Sequence, residues 1–200
     1  MNFEIVGKFE SLVSEYFHAP YAVAVDCCTH GIELCLRLKG YKSITVPTHT
    51  YLSIPMLASK LNIELKWKKE KWVDYYYIDD TNIIDAAVLW RENSYIPGTF
   101  MVLSFQFKKH LNLGRGGLIL TDSFEDANQL RRMSYDGRDV TSNLGWDLQN
   151  IYNIGYHYYM TPEVAFKGIE KFYEVKDQKV KNWSWKNYPD ISKQLVFSNG

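Results

Sequence analysis

The sequence predicts an α/β fold with a mostly parallel sheet and flanking helices. The first observation is that an apolar strand-like run is followed by a turn and a helical pattern twice within the first 61 residues. The second is that two further apolar runs, at 99–104 and 117–121, bracket a loop rich in glycine. Because parallel strands need a crossover connection, usually a helix, this alternation favours parallel pairing.

The elements follow in chain order. Apolar residues at helical spacing predict a helix over 3–17, and residues 21–25 form a strand-like run before a helix that closes near Gly40. Residues 43–46 predict a strand and 53–61 a helix, with Pro55 in its first turn. Later segments predict strands at 63–67, 72–77, 82–87, 99–104 and 117–121, a helix over 123–134, and a helix that begins at Thr161-Pro162. The tail from about residue 177 gives no clear pattern.

Composition excludes several classes of protein. The counts of Lys+Arg and Asp+Glu are equal at 23 each, so no net field attracts nucleic acid or an anionic membrane surface. No apolar run approaches the ~20 residues of a membrane span. The odd number of cysteines, Cys27, Cys28 and Cys35, and the absence of a C-x-x-C pair argue against a disulfide framework and a metal site. We therefore expect free thiols, no metal, and a cytoplasmic protein, since the start of the chain lacks the features of a signal peptide.

Three polar or aromatic positions follow predicted strands, where open α/β sheets bind ligands. Thr29 and His30 stand at a predicted helix N-terminus, which suits an anion, although an ordinary N-cap is the simpler interpretation of Thr29. Tyr51 follows the second strand and is either a stacking ring or a core residue. Asp85 ends another strand, as a partner for a buried cation or as a turn cap.

The loop after the strand at 99–104 holds the most reactive groups. Ser104, Lys108 and Lys109 precede three glycines. A lysine desolvated by apolar neighbours loses its proton readily and becomes an amine nucleophile, although most lysines are simply solvated. A phosphate site, a ring, an acid and an amine are the parts that hold pyridoxal phosphate (PLP).

The order of these motifs resembles the DegT/DnrJ/EryC1/StrS family of PLP-dependent sugar aminotransferases. The resemblance covers about residues 9–175, and the lysine loop is its most specific part. The matching motifs are Phe9-Glu10, the run from Tyr21 to Thr29 and on to Gly40, Val46-Pro47 with Thr50-Tyr51, Asp85-Ala86-Ala87, Ser104-Phe105 through Lys109 to Gly116-Gly117, Arg131-Arg132 with Gly137 and Asp139, and Gly155 through Thr161 to Gly168.

The resemblance implies an aspartate aminotransferase-like fold (fold type I) and a set of residue roles. Lys109 would be the Schiff-base lysine and proton shuttle, with Lys108 as the fallback. Thr29, the His30 backbone and Ser104 would hold the cofactor phosphate. Tyr51 would stack on the ring and Asp85 would pair with its nitrogen. The resemblance also implies a homodimer in which a partner subunit contributes near the position of His157.

The chain departs from the family pattern at four positions and in length. Val88, Arg115, His157 and Tyr159 replace the family's usual Gln or His, acid, Asn and Arg. Most of a βα pair between Tyr51 and Asp85 is missing, and so is nearly all of the C-terminal small domain. We therefore expect a compact PLP-binding domain over 1–176 and a tail over 177–200 that is a remnant of the small domain.

The function that the resemblance implies is transfer of an amino group from glutamate or glutamine to a keto-sugar nucleotide, in cell-surface polysaccharide or sugar biosynthesis. Two alternatives stay open. One is a PLP-dependent sugar dehydratase, which a lysine at position 109 argues against because such enzymes often carry His there. The other is a reduced relative that binds a cofactor, a sugar or a full-length partner without turnover.

Overall fold

The computed structural model describes residues 2–198 as alternating helices and strands. The helices are α1 (Glu4–Phe17), α2 (Cys28–Lys39), α3 (Ser53–Leu61), α4 (Phe124–Ser134), α5 (Pro162–Val175) and α6 (Leu195–Ser198), with 3-10 turns at Trp146–Leu148 and Trp185–Asn187. The strands are β1 (Tyr21–Val25), β2 (Ser43–Pro47), β3 (Glu64–Lys68), β4 (Tyr76–Ile78), β5 (Ile83–Asp85), β6 (Phe100–Ser104) and β7 (Gly117–Thr121). The expected elements are therefore present, although the strand expected over 72–77 is shorter and shifted, at Tyr76–Ile78.

The main sheet is mixed rather than mostly parallel, which corrects the expected strand direction. Its five strands lie in the order β1-β7-β6-β5-β4. Only β5 and β6 pair in parallel, and the other three pairs are antiparallel. For β4–β5 and for β6–β7 the reason is local, because each pair is joined by a loop without a helix and therefore runs in opposite directions. The antiparallel β1–β7 pair instead joins distant segments of the chain. The two strands β2 and β3 form a separate parallel pair that touches the end of β4 through a bridge between Thr45 and Asp79.

The core lies on both faces of the main sheet. Alternate residues of each strand point to opposite faces, so Val23 and Ile119 belong to one buried cluster while Ala24 and Leu118 belong to the other. Helices α2, α3 and α4 contribute to the first cluster, and α1 and α5 contribute to the second. The result is a three-layer arrangement in which the sheet is covered on both sides.

The C-terminal tail docks against the segments that follow β2 and β3. Backbone hydrogen bonds join Trp185 N–H to Trp72 O (3.1 Å) and Ile191 N–H to Thr48 O (2.9 Å). The tail therefore packs on the same side of the molecule as the end of β2. The division into a domain over 1–176 and a tail over 177–200 stays a prediction. Across residues 2–198, no helix combines the length and the apolar character needed to span a membrane.

Candidate active site

A cavity of 410 Å³ opens beside the N-terminus of α2 and the ends of β5 and β6. Its lining includes five of the side chains that the sequence singled out. They are Thr29, Tyr51, Asp85, Ser104 and Lys109. Strands β5 and β6 are the parallel pair of the main sheet, so Asp85 and Ser104 end at the same edge. This is the edge at which α/β sheets bind ligands.

One end of the cavity is formed by the first turn of α2. The helix is capped by Cys27, whose sulfur accepts a hydrogen bond from the His30 backbone N–H (3.5 Å), so Thr29 is not the N-cap residue. The Thr29 hydroxyl instead lies 2.6 Å from the Ser53 hydroxyl at the start of α3. Two hydroxyls beside the free N–H groups of a helix terminus favour an anionic ligand.

Glycine 117 is required for this close approach of strand and helix. A Cβ atom at position 117 would lie 2.5 Å from the backbone nitrogen of Cys28 and 2.6 Å from the carbonyl carbon of Cys27. Any side chain there would push β7 away from the α2 terminus. The last glycine of the motif Gly114-Arg115-Gly116-Gly117 therefore lets the backbone of β7 meet the anion end of the cavity.

The Lys109 amine belongs to the cavity lining, which also includes the basic side chain of Arg115. The pKa of Lys109 is lowered by burial, and the negative charge of Asp85 partly opposes that shift. Its Nζ atom lies 5.3 Å from the centre of the Trp183 ring, within the range of a cation–π contact. Lys108 is exposed, does not line the cavity, and lies over the ring of Phe107. Of the two candidate lysines, the structure places only Lys109 in the cavity.

The Asp85 carboxyl faces the cavity from the end of β5 and is almost fully buried. It accepts hydrogen bonds from the Tyr76 hydroxyl (2.5 Å) and from the Ala87 backbone N–H (3.0 Å). Burial raises the pKa of Asp85, while these two hydrogen bonds and the charge of Lys109 oppose the rise. A buried acid and a partly buried amine thus share one cavity and stabilise each other's charged form.

The two histidines that the sequence singled out, His30 and His157, lie outside the cavity lining. His30 Nδ1 is 2.7 Å from the Asp26 carboxylate, and the His30 ring stacks on Tyr158 with centroids 3.7 Å apart. Its backbone N–H is used by the sulfur of Cys27. His157 is exposed and lies 3.2 Å from the Asp136 carboxylate. Their roles toward a phosphate and a partner subunit stay predictions.

Several cavity residues were not singled out from the sequence. Ser53, Trp72, Tyr76 and Tyr188 also line the cavity, as do Val88 and Arg115, which the sequence marked only as departures from the family pattern. Tyr76 lies directly opposite Asp85 in the β4–β5 pair. The local sequence pattern around these residues does not predict that pairing. Ser53 opens a helix beside Thr29, and its position at a helix start was the only available signal.

Within residues 2–198, one cluster of potential metal ligands is present, and it consists of a carboxylate, a thiol and an imidazole near the cavity. Ligand atoms of Asp26, Cys27 and His30 lie within 4.8 Å of one another. The Asp26 carboxylate also accepts a hydrogen bond from the Arg115 guanidinium at 2.6 Å, so a cation already neutralises it. All three cysteines are free, as expected.

Comparison with known proteins identifies one matching family. The family model for the DegT/DnrJ/EryC1/StrS aminotransferase family matches residues 2–66 and 96–189. A search of curated proteins returned no match. The unmatched segment, 67–95, contains both Tyr76 and Asp85.

Solved structures share the fold at low sequence identity. AtS13 from Actinomadura melliaura is 19% identical with a TM-score of 0.75, and the match covers 88% of this chain and 61% of that one. The sugar aminotransferase CalS13 from Micromonospora echinospora is 15% identical with a TM-score of 0.72, covering 86% and 61%. NtdA from Bacillus subtilis, solved with bound PMP, is 18% identical with a TM-score of 0.65, covering 86% and 48%.

The matched relatives are longer than this chain. The chain spans about half to three-fifths of the length of the three relatives. The shared part is an α/β domain of the type I fold of PLP-dependent aminotransferases. The family match covers both the helix that begins beside Thr29 and the loop that carries Lys109. The chain belongs to the DegT/DnrJ/EryC1/StrS aminotransferase family, whose cofactor is pyridoxal phosphate.

Proposed function

We propose that this chain binds PLP through Lys109 and transfers an amino group from glutamate or glutamine to a keto-sugar nucleotide. The observation that carries the proposal is the presence of Lys109 and Asp85 in one cavity, beside a helix N-terminus. An amine, an acid and an anion site are needed together for this chemistry. The family match supplies the reaction class.

The donor set of the cavity fits the cofactor. The first turn of α2, with the hydroxyls of Thr29 and Ser53, suits a phosphate group. Asp85 suits a protonated ring nitrogen, because it is buried and keeps acceptor capacity beyond its two hydrogen bonds. Tyr51 lines the cavity and offers a ring for stacking. The volume of 410 Å³ lies within the range of small-molecule sites, about 300–1,000 Å³.

The mechanism assigns separate tasks to the residues of the cavity. PLP, when bound, acts as an electron sink for the charge that develops at the substrate carbon. Lys109 supplies a neutral amine readily, because burial lowers its pKa. The same Nζ atom then accepts and returns a proton as general base and general acid. Asp85 would hold the protonated ring nitrogen by its negative charge. The N-terminus of α2 would hold the phosphate, which is the anionic end of the ligand.

A second subunit would complete the substrate side in this proposal. The segment between α4 and α5 carries large apolar side chains that are exposed in a single chain. Exposed apolar surface of this kind is typical of protein interfaces. A homodimer would cover it and bring His157 toward the partner's cavity. The residues that support an interface are Leu144, Trp146, Leu148, Tyr152 and Ile154.

One observation favours a second candidate function. The chain covers only 61% of AtS13 and of CalS13. The part that is shared with these relatives holds the cavity with Lys109, so it could bind the cofactor without turnover and act as a binding or partner subunit. The sugar dehydratase alternative gains no support from the cavity, because Lys109 occupies the reactive position.

The experiment that separates these functions is a single half-reaction. PLP-saturated protein is mixed with glutamate or glutamine, and the 2-oxo acid product is quantified against protein concentration. We expect about one equivalent of product from the wild type and none from Lys109→Ala. The aminotransferase proposal fails if wild-type protein that holds PLP yields no 2-oxo acid from either donor. Turnover with a keto-sugar nucleotide then tests the acceptor.

A further inference from the structure

The Tyr76 hydroxyl sits between two other polar side chains of the cavity. It lies 2.5 Å from the Thr50 hydroxyl and 2.5 Å from Oδ2 of Asp85. All three side chains are buried, with residue exposures of 1% for Thr50, 4% for Tyr76 and 6% for Asp85. All three also line the cavity that contains Lys109. This is a continuous polar chain at the ring-nitrogen end of the proposed cofactor site.

The direction of the two hydrogen bonds follows from counting protons. Tyr76 has one O–H, and an ionised carboxylate can only accept, so the Tyr76 proton points to Asp85. The Thr50 hydroxyl must then donate to the Tyr76 oxygen. The second oxygen of Asp85 accepts from the Ala87 N–H at 3.0 Å. Within residues 2–198, Tyr76 and Ala87 supply the hydrogen bonds that Asp85 receives, one to each oxygen.

We infer that Tyr76, oriented by Thr50, is a positioning residue that fixes the Asp85 carboxylate so that it receives the protonated ring nitrogen of the cofactor. This inference rests on the proposed function and deepens it. With one donor on each oxygen, the carboxylate cannot rotate without breaking a short hydrogen bond. Its remaining lone pairs are left for a ligand in the cavity.

Backbone pairing places Tyr76 where this task requires it. Tyr76 lies opposite Asp85 in the antiparallel β4–β5 register, so both side chains emerge on the same face. The Tyr76 ring packs against Trp72, with centroids 5.4 Å apart. The ring is therefore anchored by packing, and its hydroxyl is the part that addresses Asp85.

The experiment compares two ligands with one atom of difference. Dissociation constants are measured for PLP and for its carbocyclic analogue, in which CH replaces the ring nitrogen. Tyr76→Phe keeps the ring and removes the hydroxyl. A hydrogen bond to a charged group contributes about tenfold or more in binding, so we expect PLP affinity to fall at least tenfold in this variant. We expect the affinity for the analogue to change by less than about twofold.

Matched variants keep the test specific. Tyr77→Phe, on the exposed side of β4, should change neither affinity. Thr50→Val should weaken PLP binding in the same direction by a smaller factor, and it serves if Tyr76→Phe does not fold. Asp85→Asn should abolish the preference for PLP over the analogue.

The outcomes separate this inference from the proposed function. Equal loss of both ligands in Tyr76→Phe and Thr50→Val would show a merely structural role and overturn the positioning role, while PLP binding itself stands. A wild-type protein that does not bind PLP would refute the proposed function, and the positioning role falls with it. Unchanged PLP affinity in both variants would refute the positioning role alone.

Discussion

Replacing Gly31 by alanine tests how tightly α2 is held against the sheet that carries the Lys109 loop. An added Cβ at this position would lie 2.8 Å from Cγ1 of Val102, 3.2 Å from Ile119 and 3.3 Å from Val25. All three neighbours are fully buried. None of them can yield without moving a second side chain, because the core around them is close-packed.

Two opposing effects set the size of the change. Alanine in a helix interior is more stable than glycine by about 0.5–1 kcal/mol. Overpacking a filled core costs about 1–3 kcal/mol. The contacts of Gly31 are with β-branched side chains of three strands, so the second effect is larger. We expect a net loss of about 1–2 kcal/mol, or a Tm lower by about 2–8 °C for a chain of this size.

The matched control is Gly7→Ala in α1, since no atom beyond the local backbone of α1 lies within 4 Å of a Cβ built there. That variant should gain about 0.5–1 kcal/mol from helix propensity alone. Thermal and urea unfolding measure the stability changes of both Gly31→Ala and Gly7→Ala. Gly31→Ala should also weaken PLP binding, because a displaced α2 moves Thr29, whereas Gly7→Ala should not. If both substitutions stabilise the protein equally, the account of α2 packing is wrong.

Three further predictions concern buried charges. Burial lowers the pKa of Lys109, so the native state releases that proton at a lower pH than the unfolded state does. The free energy of unfolding of wild type, relative to that of Lys109→Met, should therefore increase as pH rises toward about 10.4. Urea unfolding measures this difference. Arg131→Met removes the cation 3.0 Å from buried Glu10 and should cost about 3–5 kcal/mol at neutral pH, with a smaller deficit in acid because burial raises the pKa of Glu10. Burial opposes protonation of His30, yet its hydrogen bond with Asp26 raises its pKa to about 9. The stability that this pair contributes should therefore be complete below about pH 6.5 and should fall as pH rises through 9. This pH dependence should disappear in Asp26→Asn. If the stability difference between wild type and Lys109→Met, or between wild type and Asp26→Asn, does not change with pH, the corresponding contact is contradicted.

Local pattern predicted the elements well where apolar periodicity is strong. Strands β1 and β7 and helix α3 have the expected bounds. The motif around Lys109 and the glycine at 117 also pointed to the loop that lines the cavity. These features depend on residues that are neighbours in the chain, so the sequence carries them directly.

Features that depend on distant pairing could not be predicted in the same way. The antiparallel pairing of β1 with β7 joins segments almost 100 residues apart. The Tyr76 hydroxyl reaches Asp85 only because β4 and β5 form a pair, and the short β4 gives a weak pattern. The tail places Trp183 near Lys109 and Tyr188 in the cavity lining through backbone contacts with segments far upstream.

The most direct test of the central claim is the location of the covalent bond between PLP and the protein. Purified protein is incubated with PLP, reduced with borohydride and digested, and the modified peptide is identified by mass spectrometry, with Lys108→Ala and Lys109→Ala in parallel. We expect a visible absorbance band before reduction and a single modified residue, Lys109, in wild type and in Lys108→Ala, with both signals lost in Lys109→Ala. Modification of Lys108, or no band in wild type, would contradict this claim.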